Sequence, residues 1–159
     1  MTKKFLITFC LTTLLSVFMS TAQAQNYGPN ITLEQAKVVL AAAEAEAVKQ
    51  GWPMAIAVVD TAGNLVAYVK RDNTQIASVK ISQAKAYTAI AMKRPTKALQ
   101  DTLAKGAENL RLLSFDGVAL AEGGIPLVAN GVFIGAIGVS GMASDQDGMV
   151  AAAGAAAIK

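Results

Sequence analysis

The spacing of apolar residues after residue 30 predicts that the chain alternates between helices and short strands. Apolar side chains recur every three or four positions over residues 33–50, which is typical of a helix with one buried face. Thr32 and Gln35 stand at its start as a capping box, in which each side chain accepts from the other's backbone amide. Gly51 follows the last turn, where a glycine commonly ends a helix. We therefore predict that the first helix spans residues 33–50.

Short apolar runs bounded by turn residues predict five strands and two hairpins. The turn at residues 61–64 separates the first two runs, which should therefore pair with each other. Asn130 and Gly131 separate the last two runs, and both central positions of a type I′ turn need the positive φ that these residues tolerate. The predicted strands are residues 55–60, 65–69, 118–120, 125–129 and 132–139.

Three later segments have helical spacing and recognisable starts. Residues 76–92 are rich in alanine, Pro95 is placed to begin a short helix that ends near 103, and Ser144 can cap a last helix over 145–157. The order of elements is then α-ββ-αα-βββ-α. Hairpin-linked strands separated by helices favour an antiparallel sheet, so we expect an α+β fold, similar to an α/β sandwich, with helices packed on a central sheet of about five strands.

The N-terminal segment has the three parts of a secretory signal peptide. Lys3 and Lys4 are followed by an apolar stretch over residues 5–19 and by an A-x-A cleavage site that ends at Ala24. The apolar stretch is shorter than the roughly 20 residues that a helix needs to cross a bilayer. We predict cleavage between Ala24 and Gln25, a periplasmic or secreted product and no stable membrane anchor. The expected organisation is a signal peptide over residues 1–24 and one domain over residues 25–159.

Composition excludes several kinds of site. The chain has no histidine, which excludes histidine triads, histidine metal sites and histidine-ligated haem. Its single cysteine, Cys10, lies in the predicted leader, so the mature domain offers no thiol. Without the two leader lysines, 12 basic residues stand against 11 acidic ones, a net charge of +1 that argues against a nucleic-acid partner.

Charged residues and glycines near the predicted turns are the candidates for a site. Asp60 ends an apolar strand, and Arg71 closes its partner strand, so the two meet only if the hairpin register allows it. Gly123 and Gly124 match no phosphate-binding loop, but glycines in strands let a helix, another backbone or a flat ligand come close. Ser140 matches no nucleophile elbow, and only lysines remain as its base.

Eight short runs of the domain occur in an order and spacing that resemble the GlcG/HbpS family. This family is also called the haem-degrading domain family and is related to the C-terminal domain of PduO-type proteins. The resemblance covers nearly the whole predicted domain. The runs are LEQA at 33–36, AIAVVD at 55–60 with Gly63, RD at 71–72, AKA at 84–86, RPT at 94–96, GGIP at 123–126, GAIGVSG at 135–141 and QD at 146–147.

The resemblance implies a compact domain that assembles into dimers or rings and that, in some members, binds haem or related tetrapyrroles. Members occur in the cytoplasm and, behind a leader, outside it. This chain departs from the haem-binding members in having no histidine, and it has Lys93 where a glycine often precedes the Arg-Pro-Thr run. Iron would then be held by Tyr68, Tyr87, Lys85, a methionine or Thr88, and propionates would contact Arg71, Lys85 or Arg94.

These observations favour an exported binding protein for haem, a related tetrapyrrole or a small anionic ligand. Its expected partners are that small molecule and further copies of the chain. One alternative is an enzyme of haem breakdown or of small hydroxy-acid or aldehyde metabolism, with Asp60, Lys85 and Asp147 as acids or bases. Another is a non-catalytic structural oligomer. The candidate ligand-binding residues are Asp60, Arg71, Lys85, Arg94, Gly123, Gly124 and Ser140.

Overall fold

A computed structural model describes residues 26–158, whose core is one sheet with helices on both faces. The predicted leader lies outside these residues, so its cleavage site stays a prediction. Within residues 26–158 no helix combines the length and apolar character needed to cross a membrane. The elements are α1 (Leu33–Gln50), β1 (Ala55–Val59), β2 (Leu65–Lys70), α2 (Ala77–Ala91), α3 (Thr96–Ala104), a 3₁₀ helix (Ala107–Ser114), β3 (Gly124–Ala129), β4 (Val132–Ser140) and α4 (Ser144–Ala155).

The sheet is antiparallel throughout, with the strand order β2-β1-β4-β3. Both predicted hairpins are therefore confirmed, and β1 and β4 form the centre of the sheet. The turn between β3 and β4 has positive φ at Asn130 (50°) and Gly131 (77°), as a type I′ turn requires. The α+β fold with helices packed on an antiparallel sheet is confirmed.

The sheet contains four strands, so the predicted strand at residues 118–120 was wrong. This segment is a loop between Gly117 and Gly123, both of which have positive φ. The amide of Ala119 donates to the Thr88 hydroxyl on α2, at 2.8 Å, instead of joining a strand. Because a side chain satisfies that amide, the apolar residues of the loop pack without extending the sheet.

The helix ends follow local capping in two different ways. Helix α1 begins and ends as predicted, since the Gln35 amide donates to the Thr32 hydroxyl at 3.2 Å and the Thr32 amide donates to the Gln35 side chain at 3.0 Å. Ser144 is the first residue of α4 and not its cap. Ala143 takes that position, and its amide donates to the Gln146 side chain at 3.1 Å. The 3₁₀ helix was not predicted.

The two faces of the sheet differ in the size of their side chains. Branched residues such as Ile56 and Val139 face the layer that contains α1 and α4, whereas small residues such as Ala57 and Ala136 face α2. A side-chain carbon added at Gly138 would lie only 2.0 Å from the Ser82 carbonyl oxygen of α2. The backbone of α2 therefore packs directly on the backbone of β4, one of the two central strands.

Candidate functional site

Lys85 and Asp147 form a buried ion pair between the two helix layers. Lys85 lies on α2 and Asp147 in the first turn of α4, and their side chains are 2% and 3% exposed. The Lys85 Nζ atom donates to Asp147 Oδ2 at 2.7 Å and to the Val139 carbonyl at 3.0 Å. The Met142 amide donates to the other oxygen of Asp147 at 3.1 Å. The pair therefore joins three elements, α2, β4 and α4.

Two glycines close the chain over this pair. Gly123 has φ of 126°, and a side-chain carbon there would lie 2.9 Å from Lys85 Nζ. Such a carbon at Gly124 would lie 2.4 Å from the Lys85 carbonyl oxygen, and the Gly124 amide donates to the Thr96 hydroxyl at 2.9 Å. The structure thus brings three predicted site residues together, Lys85, Gly123 and Gly124. Because these residues pack so closely, the Lys85 ammonium is buried and its hydrogen bonds go to protein atoms.

Burial dominates the electrostatics of Asp147. Burial raises the pKa of its carboxyl above the ordinary value of 3.8, while the hydrogen bond and charge of Lys85 lower it in part. A carboxylate removed from water remains charged only where a cation and hydrogen-bond donors compensate for the lost solvation. Lys85 supplies that compensation. Lys85 and Asp147 therefore pair with each other in the interior. These are two of the three residues that the enzyme alternative would use as acids or bases.

Ser140 lies beside the ion pair but has its own partner. Its hydroxyl donates to the Ser78 hydroxyl of α2 at 3.1 Å, and both side chains are buried. Lys85 is bonded to Asp147 and Val139, so the structure does not present it to Ser140 as a base. Ser140 in this geometry links β4 to α2.

Asp60 and Arg71 lie at opposite ends of the β1–β2 hairpin. The register pairs Ala55 with Lys70, and the Arg71 amide donates to the Met54 carbonyl at 3.0 Å, at the end away from the turn. Asp60 instead orders the turn, because its carboxylate accepts from the Ala62 and Asn64 amides at 2.9 Å each. The hairpin register therefore keeps these two candidates apart.

Hydrogen bonds make Asp60 a stabilising anion. Burial raises the pKa of its carboxyl, but hydrogen bonds from Asn64 and from the backbone of Ala62 and Gly63 outweigh burial and bring the pKa below 3.8. When folding lowers the pKa of a carboxyl, its contribution to stability is full at a pH above the pKa of the unfolded chain. The contribution is lost as the pH falls through the pKa of the folded protein.

We expect Asp60→Asn to lower the free energy of unfolding by about 1–2 kcal/mol at pH 7, because charge-assisted hydrogen bonds become neutral ones. The difference from wild type should disappear as the pH falls below the pKa of Asp60. Urea unfolding as a function of pH measures it. Asp116→Asn, at an exposed loop position, is the control. A difference that stays constant down to the acid limit would contradict the assigned role.

Arg94 is exposed, and the residue before it has an unusual backbone. The Arg94 Nε atom donates to the Met92 carbonyl at 3.2 Å. Lys93 has φ of 52°, in the left-handed region that favours glycine, which explains why a glycine suits this position. The Lys93 ammonium lies 4.1 Å from the ring centre of Tyr27, which is within the range of a cation–π contact.

The candidate iron ligands differ in the partners that they already have. Lys85 is held by the ion pair, and the Thr88 hydroxyl donates to the Ala84 carbonyl at 2.7 Å while it accepts from Ala119. Within residues 26–158, the Tyr68 hydroxyl is the buried side-chain polar group that has no hydrogen-bond partner. Burial also raises its pKa. An unpartnered buried phenol fits haem chemistry, since tyrosine serves as an axial ligand in some haem proteins.

Removing the Tyr68 hydroxyl should stabilise the protein. We expect Tyr68→Phe to raise the free energy of unfolding by about 1 kcal/mol, because a buried polar group without a partner costs desolvation energy. Tyr27→Phe is the matched control, since the Tyr27 hydroxyl donates to the Ile90 carbonyl at 3.0 Å and its removal should be destabilising. Thermal melts of both variants measure the two effects. A clear loss of stability in Tyr68→Phe would show that the hydroxyl has a partner.

Acidic clusters offer no alternative metal site in the described part of the chain. Among residues 26–158, no group of three or more His, Cys, Asp and Glu side chains is placed to hold a metal ion. The candidates that the ion pair does not occupy are the Tyr68 hydroxyl, the partly exposed Arg71 and the exposed Arg94.

Comparison with known proteins supports the family resemblance that the short sequence runs indicate. The family model described as haem degrading protein HbpS-like matches residues 31–156. GlcG of Escherichia coli is 36% identical over 110 residues, which cover 69% of this chain and 81% of GlcG. A double mutant of Streptomyces reticuli HbpS superposes with a TM-score of 0.76 at 32% identity, over 84% of this chain and 90% of HbpS.

A haem-bound structure is also similar. The crystal structure of the PduOC–haem complex superposes with a TM-score of 0.75 at 28% identity, over 82% of this chain and 96% of PduOC. Both the sequence match and the fold extend over most of the described residues. The resemblance to the GlcG/HbpS family is therefore confirmed, and the chain belongs to the HbpS-like family of haem degrading proteins.

Proposed function

We propose that this protein is an exported binding protein for haem or a related tetrapyrrole. The observation that carries the proposal is the Tyr68 hydroxyl, a buried group without a hydrogen-bond partner in a chain that lacks histidine. The similarity to a PduOC structure that contains haem supports the same ligand class. Haem would supply the iron and any redox chemistry, and the protein would supply the ligand atom and the apolar surroundings.

The position of Tyr68 suits such a ligand. Tyr68 lies on the edge strand β2 opposite Ala57, on the side of the sheet where α2 packs, and its ring is partly exposed. Helix α2 packs on β1, β3 and β4, so β2 lies beyond the strands that it covers. The ordinary pKa of a phenol is 10.0 and burial raises it further, so the Tyr68 side chain is neutral at pH 7, and ferric iron would stabilise its phenolate.

Titration with hemin tests the proposal. We expect wild type to give a saturable change in Soret absorbance, and Tyr68→Phe to bind at least about tenfold more weakly, because a ligand to the iron would be lost. Tyr87→Phe is the control, since Tyr87 is 43% exposed and packs its ring near Gly63. Tyr68→Phe should remain folded, so weaker binding would reflect the lost ligand. Wild type without a saturable change, or equal binding by Tyr68→Phe, would overturn the proposal.

Export and self-association belong to the same proposal. The basic and apolar segments before residue 25 support cleavage of a leader, and N-terminal sequencing of the exported form should give Gln25 as the first residue. Leu110, Leu113 and Phe115 are 53%, 65% and 44% exposed on and just after the 3₁₀ helix. Such apolar exposure supports a homo-oligomer. Light scattering should then give a multiple of the domain mass.

A further inference from the structure

A cleft of about 550 Å³ lies where the end of α1 meets the open end of the β1–β2 hairpin. Glu44 of α1, Trp52 and Pro53 of the following connection, and residues 69–73 at the end of β2 line it. We call it the Trp52 cleft. Its volume falls in the range of roughly 300–1,000 Å³ that is usual for small-molecule sites. It lies away from the Tyr68 hydroxyl, which packs toward the α2 side of the sheet.

Hydrogen bonds to backbone carbonyls fix the walls of the Trp52 cleft. The Arg71 amide donates to the Met54 carbonyl at 3.0 Å, and the Thr74 hydroxyl donates to the Arg71 carbonyl at 2.7 Å. Gly51 and Asn73 hold the two rims in the left-handed conformation, with φ of 71° and 62°. A wall ordered in this way loses little conformational freedom when a ligand binds.

The guanidinium of Arg71 retains most of its donors. The anion paired with it is Glu44. The distance from Arg71 Nη1 to Glu44 Oε1 is 3.6 Å, which is longer than a normal hydrogen bond. Both side chains remain partly exposed, at 29% for Arg71 and 38% for Glu44. Because arginine offers five N–H donors in a planar fork, Arg71 has donors left to bind a carboxylate in a bidentate arrangement while Glu44 stays nearby.

The rest of the lining restricts what such a carboxylate is attached to. Lys70 and Arg71 are balanced by Glu44 and Asp72, so the cleft has no net charge and does not favour a polyanion. Trp52 offers an aromatic surface next to these charges. We propose that the Trp52 cleft binds one carboxylate that is carried by a flat or apolar body. Arg71 takes the carboxylate and Trp52 packs against the body.

Two sources supply this chemistry, a free small acid and the propionate of a porphyrin. Trp52 is the single tryptophan of the chain, so its fluorescence reports on the cleft alone. The probe is 3-phenylpropionate, and 3-phenylpropanol is its neutral counterpart. We expect 3-phenylpropionate to give a saturable change in Trp52 fluorescence with wild type and 3-phenylpropanol to give none.

Variants separate binding from structure. Arg71→Gln should weaken binding of 3-phenylpropionate about tenfold or more, because the charge-assisted hydrogen bonds are lost. Glu44→Gln should tighten binding several-fold, since the competing anion is removed and Arg71 is released. Arg111→Gln, which alters an exposed arginine of the 3₁₀ helix outside the cleft, should bind as wild type does. Thermal melts confirm that each variant is folded.

The outcomes are distinct from those of the haem proposal. Displacement of 3-phenylpropionate by hemin would identify a porphyrin carboxylate as the source, and simultaneous binding would identify a free acid. Tyr68→Phe should leave 3-phenylpropionate binding unchanged even where hemin binding is weakened. The inference is overturned if wild type gives no saturable signal, if 3-phenylpropanol binds equally well, or if Arg71→Gln binds the acid as wild type does.

Discussion

Replacement of Lys85 by methionine is expected to lower the free energy of unfolding by about 3–5 kcal/mol, because it leaves the Asp147 carboxylate buried without its cation. Methionine keeps a similar length, so the loss reports on the charge and its hydrogen bonds more than on volume. The Val139 carbonyl also loses the donor that lies 3.0 Å away in wild type. Urea unfolding at pH 7 measures the difference.

The pH dependence of this variant identifies the cause. Burial already raises the pKa of Asp147 in wild type, and removal of Lys85 takes away the partner that lowers it. When folding raises the pKa of a carboxyl, its contribution to stability is full at a pH below 3.8, the ordinary pKa of the group. The contribution is lost as the pH rises through the pKa of the folded protein. The deficit of Lys85→Met should therefore shrink as the pH falls.

Two further variants serve as controls for the ion pair. Lys80→Met replaces an exposed lysine of the same helix and should change stability by less than about 0.5 kcal/mol. The double variant Lys85→Met with Asp147→Leu should recover part of the loss, because neither charge is then left buried alone. A Lys85→Met variant as stable as Lys80→Met would show that the pair contributes nothing to the fold.

Gly138→Ala is expected to cost about 3 kcal/mol, at the upper end of the usual overpacking penalty. The added carbon would lie 2.0 Å from the Ser82 carbonyl oxygen and 2.4 Å from the Ala86 nitrogen. These are backbone atoms of α2, so no side-chain rotation relieves the contact, and the helix must move away from β4. Chemical unfolding of the variant measures the cost.

Gly131→Ala separates this steric effect from backbone strain. Gly131 has φ of 77° but no neighbouring atom within 4 Å of an added carbon. Its replacement should cost only the roughly 1–2 kcal/mol of a left-handed alanine. Equal losses at the two positions would mean that α2 adjusts freely to the added carbon, contrary to the close backbone packing.

Capping and turn residues correctly predicted the helix and the hairpin whose ends are set by residues close in sequence. The capping box of Thr32 and Gln35 set the start of α1, and the Asn130 and Gly131 turn set the second hairpin. The strand predicted at residues 118–120 failed because an apolar run alone does not show whether its amides find a strand. Here the Thr88 hydroxyl, 31 residues away in the chain, accepts from Ala119.

The candidate site depended more strongly on tertiary structure. The sequence by itself determined that no histidine is available, and it indicated a set of charged candidates that includes Lys85, Asp60 and Arg71. Only the fold decided that Lys85 pairs with Asp147, 62 residues away, and that the hairpin register separates Asp60 from Arg71. Trp52 carried no sequence signal as a site residue, because its place in a cleft arises where α1 and β2 meet. Hydrophobic pattern and caps act over a few residues, whereas the partner of a buried charge is fixed by how whole elements pack.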